Sequence, residues 1–347
     1  MRAEAPPASR GAHLAVFDAQ TLVAKGVRDL LVGRSFPIAS MRFFSSQPDP
    51  EVNLTEFAGE AMFVSAPDPE SLGPLDIAFL CGSRPEGERY LAWPRERGFT
   101  AIDLTSAARP GGDAPPINVA VNADRLGTGP RLVPTPHPIA LMLSTVLAAA
   151  HRGCGLVDAA VTAMQPVSEA GEDGINELYR QTLGLLNFQE WPQEIFGRQL
   201  AFNLVPALTY RPGTAPGRAD SREIEEEIRL ITGPGFGLSV AVLLAPVFHC
   251  HAALARVVLA PGKSPADLAA ALAGTDDIKV DATGARATPV DRAGEPGILV
   301  AGPWPAGSPG ACWIWIVSDN LQAGAALNAV RIAETLWRRA PVAKGNA

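Results

Sequence analysis

The sequence predicts an α/β domain built on a mostly parallel sheet, followed by an α+β domain with longer strands. Three observations predict it. Up to about residue 135, short apolar runs alternate with helical periodicity, the pattern of parallel strands joined by crossover helices. From about residue 236 onward, longer apolar or alternating runs dominate, as in an extended sheet with one packed face. Between them, residues 110–116 and 130–138 are rich in proline, which fixes φ and disfavours helix in the residue before it.

In chain order, residues 13–17 read as a strand, 23–32 as a helix, 41–44 as a strand, and 76–80 and 100–104 as further buried strands, which makes this part Rossmann-like. Residues 139–151 read as a helix and 157–164 as a strand. Residues 174–186 form an amphipathic helix with Ile175, Leu178, Tyr179 and Leu185 on one side. Strands follow at 239–245, 251–259, 297–301 and 312–318, where Trp313 and Trp315 alternate. Short helices at 220–231 and 265–272 are expected to cover that sheet, and Asp220 with Glu223 resembles a capping box. The expected division is a loose tail at 1–12, a first domain at 13–135 and a second at 136–323, with residues 324–347 as a terminal segment.

Composition narrows the function classes. With 347 residues, 47% of them hydrophobic, the chain can bury a substantial core in two domains. A formal charge of −7 argues against binding a nucleic-acid backbone, which needs clustered Lys and Arg. Four cysteines, Cys81, Cys154, Cys250 and Cys312, have neither metal-type spacing nor disulfide-framework density, which fits a reducing cytoplasm. The N-terminal residues lack the apolar core of a secretory signal, and the longest apolar run, 140–150, is too short to cross a bilayer.

The candidate chemistry is sparse. A dinucleotide fold places glycines between its first strand and helix so that amides can approach a pyrophosphate. Here that turn is Asp18-Ala19-Gln20-Thr21-Leu22-Val23-Ala24, without glycine and with an acid at its start. His249 and His251, two apart on an expected strand, would share a face as two metal ligands might, with His137 as a distant third. That pairing is more often coincidence, so no metal is expected. His251 as a general acid or base is the sharper reading. Cys250, between the two histidines, would alternate to the opposite face. Gln165, Ser168, Glu169 and Glu177 form a polar patch on a strand-to-helix connection, for which ordinary turn chemistry is the simpler explanation.

Several segments, in order, carry a resemblance: Asp76-Ile77-Ala78, Ile102-Asp103, Ser106-Ala107-Ala108-Arg109, Gln199-Leu200-Ala201-Phe202-Asn203, Pro246-Val247-Phe248-His249-Cys250-His251, and the tail from Ser318 to Ala329. Over nearly the whole chain the sequence resembles the aspartate-semialdehyde dehydrogenase family, whose Usg-like paralogues are its expected neighbourhood. The resemblance implies a nucleotide-type first domain, a second domain for catalysis and homodimerisation, and a C-terminal helix returning to the first domain. It also implies a cysteine nucleophile, a histidine acid/base, NADP as hydride acceptor and phosphate to resolve a thioester.

Matched to this chain, the nucleophile position falls on Pro138, which has no nucleophilic atom. The arginine expected at the adenosine 2′-phosphate falls on Pro48, the substrate arginine on Leu244 and a lysine on Glu223. What remains is His251, Gln165 and an anion-binding arginine, Arg109. The resemblance therefore implies a catalytically inactive homologue, a homodimeric binding or assembly protein with no cofactor expected, or NADP if the family activity is retained. The alternative is an enzyme of altered, non-cysteine chemistry that uses His251, Gln165 and Arg109.

Overall fold

The computed structural model describes residues 11–47, 53–108, 114–129, 131–206, 220–321 and 324–339. The chain divides into two compact units. The first comprises residues 1–109, 124–135 and 326–347, and the second 110–123 and 136–325.

The first unit is a seven-stranded sheet in the order β3-β4-β2-β1-β5-β6-β7, formed by β1 (Ala12–Phe17), β2 (Ile38–Phe44), β3 (Leu54–Phe57), β4 (Glu60–Ser65), β5 (Ile77–Leu80), β6 (Thr100–Asp103) and β7 (Arg131–Pro134). All neighbours are parallel except the β3–β4 hairpin. β1 and β5 are buried almost throughout, as central parallel strands must be when helices cover both faces. Three features depart from the sequence expectation. Ala12 belongs to β1 and not to a tail. The β3–β4 hairpin was not expected; its strands are short and only Val64 in them is buried, so no buried run marks them in the sequence. β7 forms inside the proline-rich break, which an edge strand tolerates because its outward amide needs no partner.

Helix α1 (Leu22–Gly33) is capped by Thr21, whose hydroxyl accepts from the Ala24 amide. The C-terminal helix α10 (Ala325–Arg339) lies almost wholly in the first unit. There Glu334 pairs with Arg34, and Trp337 meets Phe36 at 6.5 Å between ring centroids.

The second unit has seven strands in the order β12-β13-β14-β11-β8-β10-β9: β8 (Leu156–Gln165), β9 (Val205–Pro206), β10 (Gly237–Leu244), β11 (His251–Leu259), β12 (Ile278–Asp281), β13 (Ile298–Pro305) and β14 (Ala311–Ser318). Its core is laid down by helix α5 (Pro138–Cys154), buried along almost its whole length. α5 packs with α7 (Ser221–Thr232) and α8 (Pro265–Ala273) over one face of the sheet. Period-two alternation decides what that face receives. Along β11, His251, Ala253, Ala255, Val257 and Leu259 are buried, and along β8 so are Ala159, Val161, Ala163 and Gln165. On the opposite face Leu254 and Trp313 are each 37% exposed.

The segment 110–123 joins this unit, although the sequence places it before the boundary near 135. Its Asn118 amide donates to Ser144 and Thr145 on α5. Helix α6 (Gly171–Leu186) also departs from expectation. Leu178 is buried but Tyr179 is exposed, and the inward face carries Glu177 and Gln181. These polar side chains hold the loop that follows the helix. Glu177 accepts from the Ile195 and Phe196 amides, and Gln181 accepts from the Leu200 and Ala201 amides.

Candidate functional site

β8 and α5 bring the candidate residues of the second unit together. Gln165 is the last residue of β8, buried to 1% exposure, paired in register with Leu244 at the end of β10. His251 opens β11, opposite Ser318 of β14, and is equally buried. Pro138 is the first residue of α5, where its missing N–H costs nothing and its fixed φ suits the helix. His137 caps that helix, its Nδ1 accepting from the Ile139 amide at 3.1 Å. The His137 backbone amide in turn donates to Glu227 Oε2 at 2.8 Å.

Glu169 is the residue that the sequence reading left in turn chemistry. It follows β8 in a 3-10 turn at Val167–Ala170, and its carboxylate lies between the two histidines. Oε2 is 3.5 Å from His137 Nε2, and Oε1 is 3.7 Å from His251 Nε2. Asn320 Nδ2 donates to Oε1 at 3.2 Å, while Asn320 Oδ1 accepts from the Cys250 amide. Burial raises the Glu169 carboxyl to about 7, against the lowering effect of the Asn320 hydrogen bond. Burial lowers His137 to about 4, and burial and the neighbouring His137 lower His251 well below the usual histidine range. His251 Nε2 is buried without a hydrogen bond. A signal for Glu169 existed in the sequence: a glutamate four residues after Gln165, at the end of the strand paired with the one His251 opens.

The metal reading does not survive the geometry. β11 starts at His251, and Cys250 takes φ = 72°, so the regular alternation that would align His249 with His251 is broken. Because His137 Nδ1 accepts a backbone N–H, its Nε2 carries the proton and has no lone pair for a metal. Among the described residues no group of three His, Cys, Asp or Glu could hold a metal ion. Glu177 does not join the patch, being engaged by the 195–196 amides. Leu244 sits in an apolar cluster with Val167, Leu178, Phe196, Leu200 and Val205. Arg109 and Pro48 lie outside the described residues.

In the first unit, Asp18 occupies the turn where a dinucleotide fold presents amides. It takes φ = 56° and is 6% exposed. Its Oδ1 accepts from the Ser46 amide at 2.8 Å, and its Oδ2 is buried without a hydrogen bond. Gly82 permits this approach, since a Cβ there would stand 2.3 Å from Asp18 Oδ2 and 2.7 Å from Glu86 Oε2. Burial, opposed by the Ser46 hydrogen bonds, raises the Asp18 carboxyl. A cavity of about 270 Å³ lined by Gly98, Thr100, Gly129 and Trp337 opens near the amino ends of β5 and β6. That edge is opposite to the one where open α/β sheets bind ligands.

The four cysteines are free and buried. Burial raises every one of their thiols, Cys250 to about 12, so none supplies a thiolate near neutral pH.

A Rossmann-like sheet carrying the C-terminal helix, and a second α+β unit, make up the architecture of the semialdehyde dehydrogenases. Residues 147–322 match the semialdehyde dehydrogenase dimerisation domain, and the chain belongs to the aspartate-semialdehyde dehydrogenase family. It is 32% identical to a USG-1 protein homolog of Pseudomonas aeruginosa over 94% of this chain and 98% of that one. Among solved structures it is similar to a probable aspartate-semialdehyde dehydrogenase from Pseudomonas aeruginosa (TM-score 0.84, 30% identity, 95% and 99% of the two chains covered). It is likewise similar to aspartate semialdehyde dehydrogenase II from Vibrio cholerae (TM-score 0.85, 25% identity, 95% and 99%).

Proposed function

We propose that this chain is a catalytically inactive, homodimeric member of its family that works as a binding protein. The observation that carries the reading is Pro138 at the first position of α5, where the family resemblance calls for the attacking thiol. No other thiol substitutes, since Cys250, the one beside His251, is buried and raised to about 12. The family uses NADP, and the Asp18 turn does not suit it. A buried carboxylate with an orphaned oxygen, close to Glu86, would meet a pyrophosphate with like charge. The substrate-arginine position, Leu244, is packed in an apolar cluster that offers no charge to a carboxylate. Purified protein supplied with aspartate semialdehyde, phosphate and NADP is expected to form no NADPH above the protein-free rate, and sustained turnover would overturn the reading. Dimerisation is supported by the family's dimerisation domain and by the sheet face bearing Leu254 and Trp313.

One observation favours a second reading, in which His251, Gln165 and Arg109 serve non-cysteine chemistry. His251 keeps an unpartnered Nε2 beside a carboxyl whose pKa is near neutrality, as an acid/base group requires.

A further inference from the structure

The amino ends of β5 and β6, the loop before β7 and the last turn of α10 surround the cavity of about 270 Å³, which lies within the first unit. Parallel pairing brings the three strand ends to one edge, since Ile77, Thr100 and Arg131 stand in register. Leu75, Ile77, Phe99, Leu336 and Trp337 form the apolar wall. Glycine keeps the space from filling. Gly98 ends the helix at 93–97 with φ = 79° and its amide on the Pro94 carbonyl, a conformation that other residues adopt only under strain. A Cβ there would meet nothing within 4 Å. The polar lining is engaged within the protein. Asp76 Oδ2 accepts from the His13 amide at 2.8 Å, the Thr100 hydroxyl donates to the Gly129 carbonyl at 3.3 Å, and Arg339 Nη1 donates to the Leu126 carbonyl at 3.0 Å. What the cavity leaves unmet is apolar surface.

A cavity of roughly 150 Å³ lined by Leu, Ile and Phe takes up benzene, so this one has room for an aromatic ring with a short substituent. Its wall favours a ring, because Phe99 and Trp337 offer aromatic surface and ring pairs gain beyond the area they bury. Charge sets the other requirement. Asp76 and Arg339 bring opposite signs to the lining, so an anion meets the first, and a cation the second, with like charge. The carbonyl end of α10 disfavours an anion further. We propose that the cavity binds a small uncharged aromatic molecule, its ring against Trp337. The proposal goes beyond the inactive-enzyme reading, since it gives the first unit a ligand of its own and draws nothing from Pro138.

The test is a proton–nitrogen NMR titration of the full-length protein that follows the indole N–H of Trp337, assigned by its loss in Trp337→Phe. The probes are benzyl alcohol, benzoate and benzylammonium, which share one ring and differ in charge, with ethanol as the ringless alcohol. Benzyl alcohol is expected to shift the Trp337 signal saturably, with a dissociation constant on the order of 1 mM or below. Both charged probes should bind at least about tenfold more weakly, and ethanol should not saturate. Thr128→Phe, which places a ring in the cavity from an exposed loop position, should abolish the saturable shift while the thermal melt shows a folded protein. No saturation by benzyl alcohol, a charged probe or ethanol binding as tightly, or unchanged binding in Thr128→Phe would each overturn the proposal. Saturation only in a chain ending at Arg339 would assign the cavity to the protein's own last residues and overturn it too. If Thr128→Phe does not fold, the order of the four probes on the wild type decides alone. The semialdehyde assay is a separate measurement, so loss of this proposal and loss of the inactive-enzyme reading are distinguishable.

Discussion

Glu169 makes stability depend on pH in a definite sense. Its carboxyl is raised to about 7 from an ordinary 4.5, so between those values the folded protein binds the proton that the unfolded chain releases. Stability from this group is present in full below about pH 4.5 and is lost as pH rises through 7. Glu169→Gln removes that loss. The variant is expected to be more stable than the wild type at pH 8, by an amount on the order of 3 kcal/mol, and to match it near pH 4.5. Thermal melts across that range check this, and a constant offset at every pH would refute it. The thiols give a second prediction at the same scale. In native protein at pH 7.5 none of the four cysteines should react with a disulfide reagent on the minute scale, and all four should react in denaturant. Rapid labelling of Cys250 in the folded state would reopen thiol chemistry.

The connection after helix α6 is pinned by that helix's buried polar face. Gln181 receives the Leu200 and Ala201 amides and donates to the Pro192 and Arg198 carbonyls. Replacing it by leucine leaves those buried groups unpaired, at about 1–3 kcal/mol for each group left unsatisfied. Gln181→Leu should therefore lower the melting temperature and admit protease cleavage between residues 188 and 203. Resistance equal to wild type would show that the loop holds itself. This element also shows what a sequence can disclose. Periodicity placed α1, α5, β8 and β11 within a few residues, because each buries an apolar face at regular spacing. It misjudged α6, whose inward positions Glu177 and Gln181 are polar, and so it put exposed Tyr179 on the core side. The candidate site was legible in the same measure. Gln165 and His251 were found through strand ends and resemblance. Glu169 was passed over because its significance lies in contacts across 32 and 82 positions of the chain, which no local pattern records. His137 was considered only as a metal ligand, although a histidine directly before a proline that opens a helix is also placed to cap it.

At the scale of the molecule, the second unit covers one sheet face with helices and leaves the other lined by Leu254, Trp313 and the partly buried Trp315. A face of this kind on a family dimerisation domain predicts self-association. Sedimentation should show a dimer, and Leu254→Glu with Trp313→Glu should shift it to monomer while far-UV circular dichroism stays unchanged. A monomeric wild type would remove the homodimer from the proposed function. Membrane insertion does not compete with this use of the apolar face through any helix described, since none is long and apolar enough to cross a bilayer.

Pro138 opens α5 at a position where proline is among the best residues for folding. It removes freedom from the unfolded chain without forfeiting a hydrogen bond, an advantage of about 0.4–1 kcal/mol. Selection for a folded protein alone therefore retains it, with no functional pressure needed. Any substitution at this position, whatever reactive atom it brings, gives up that gain first.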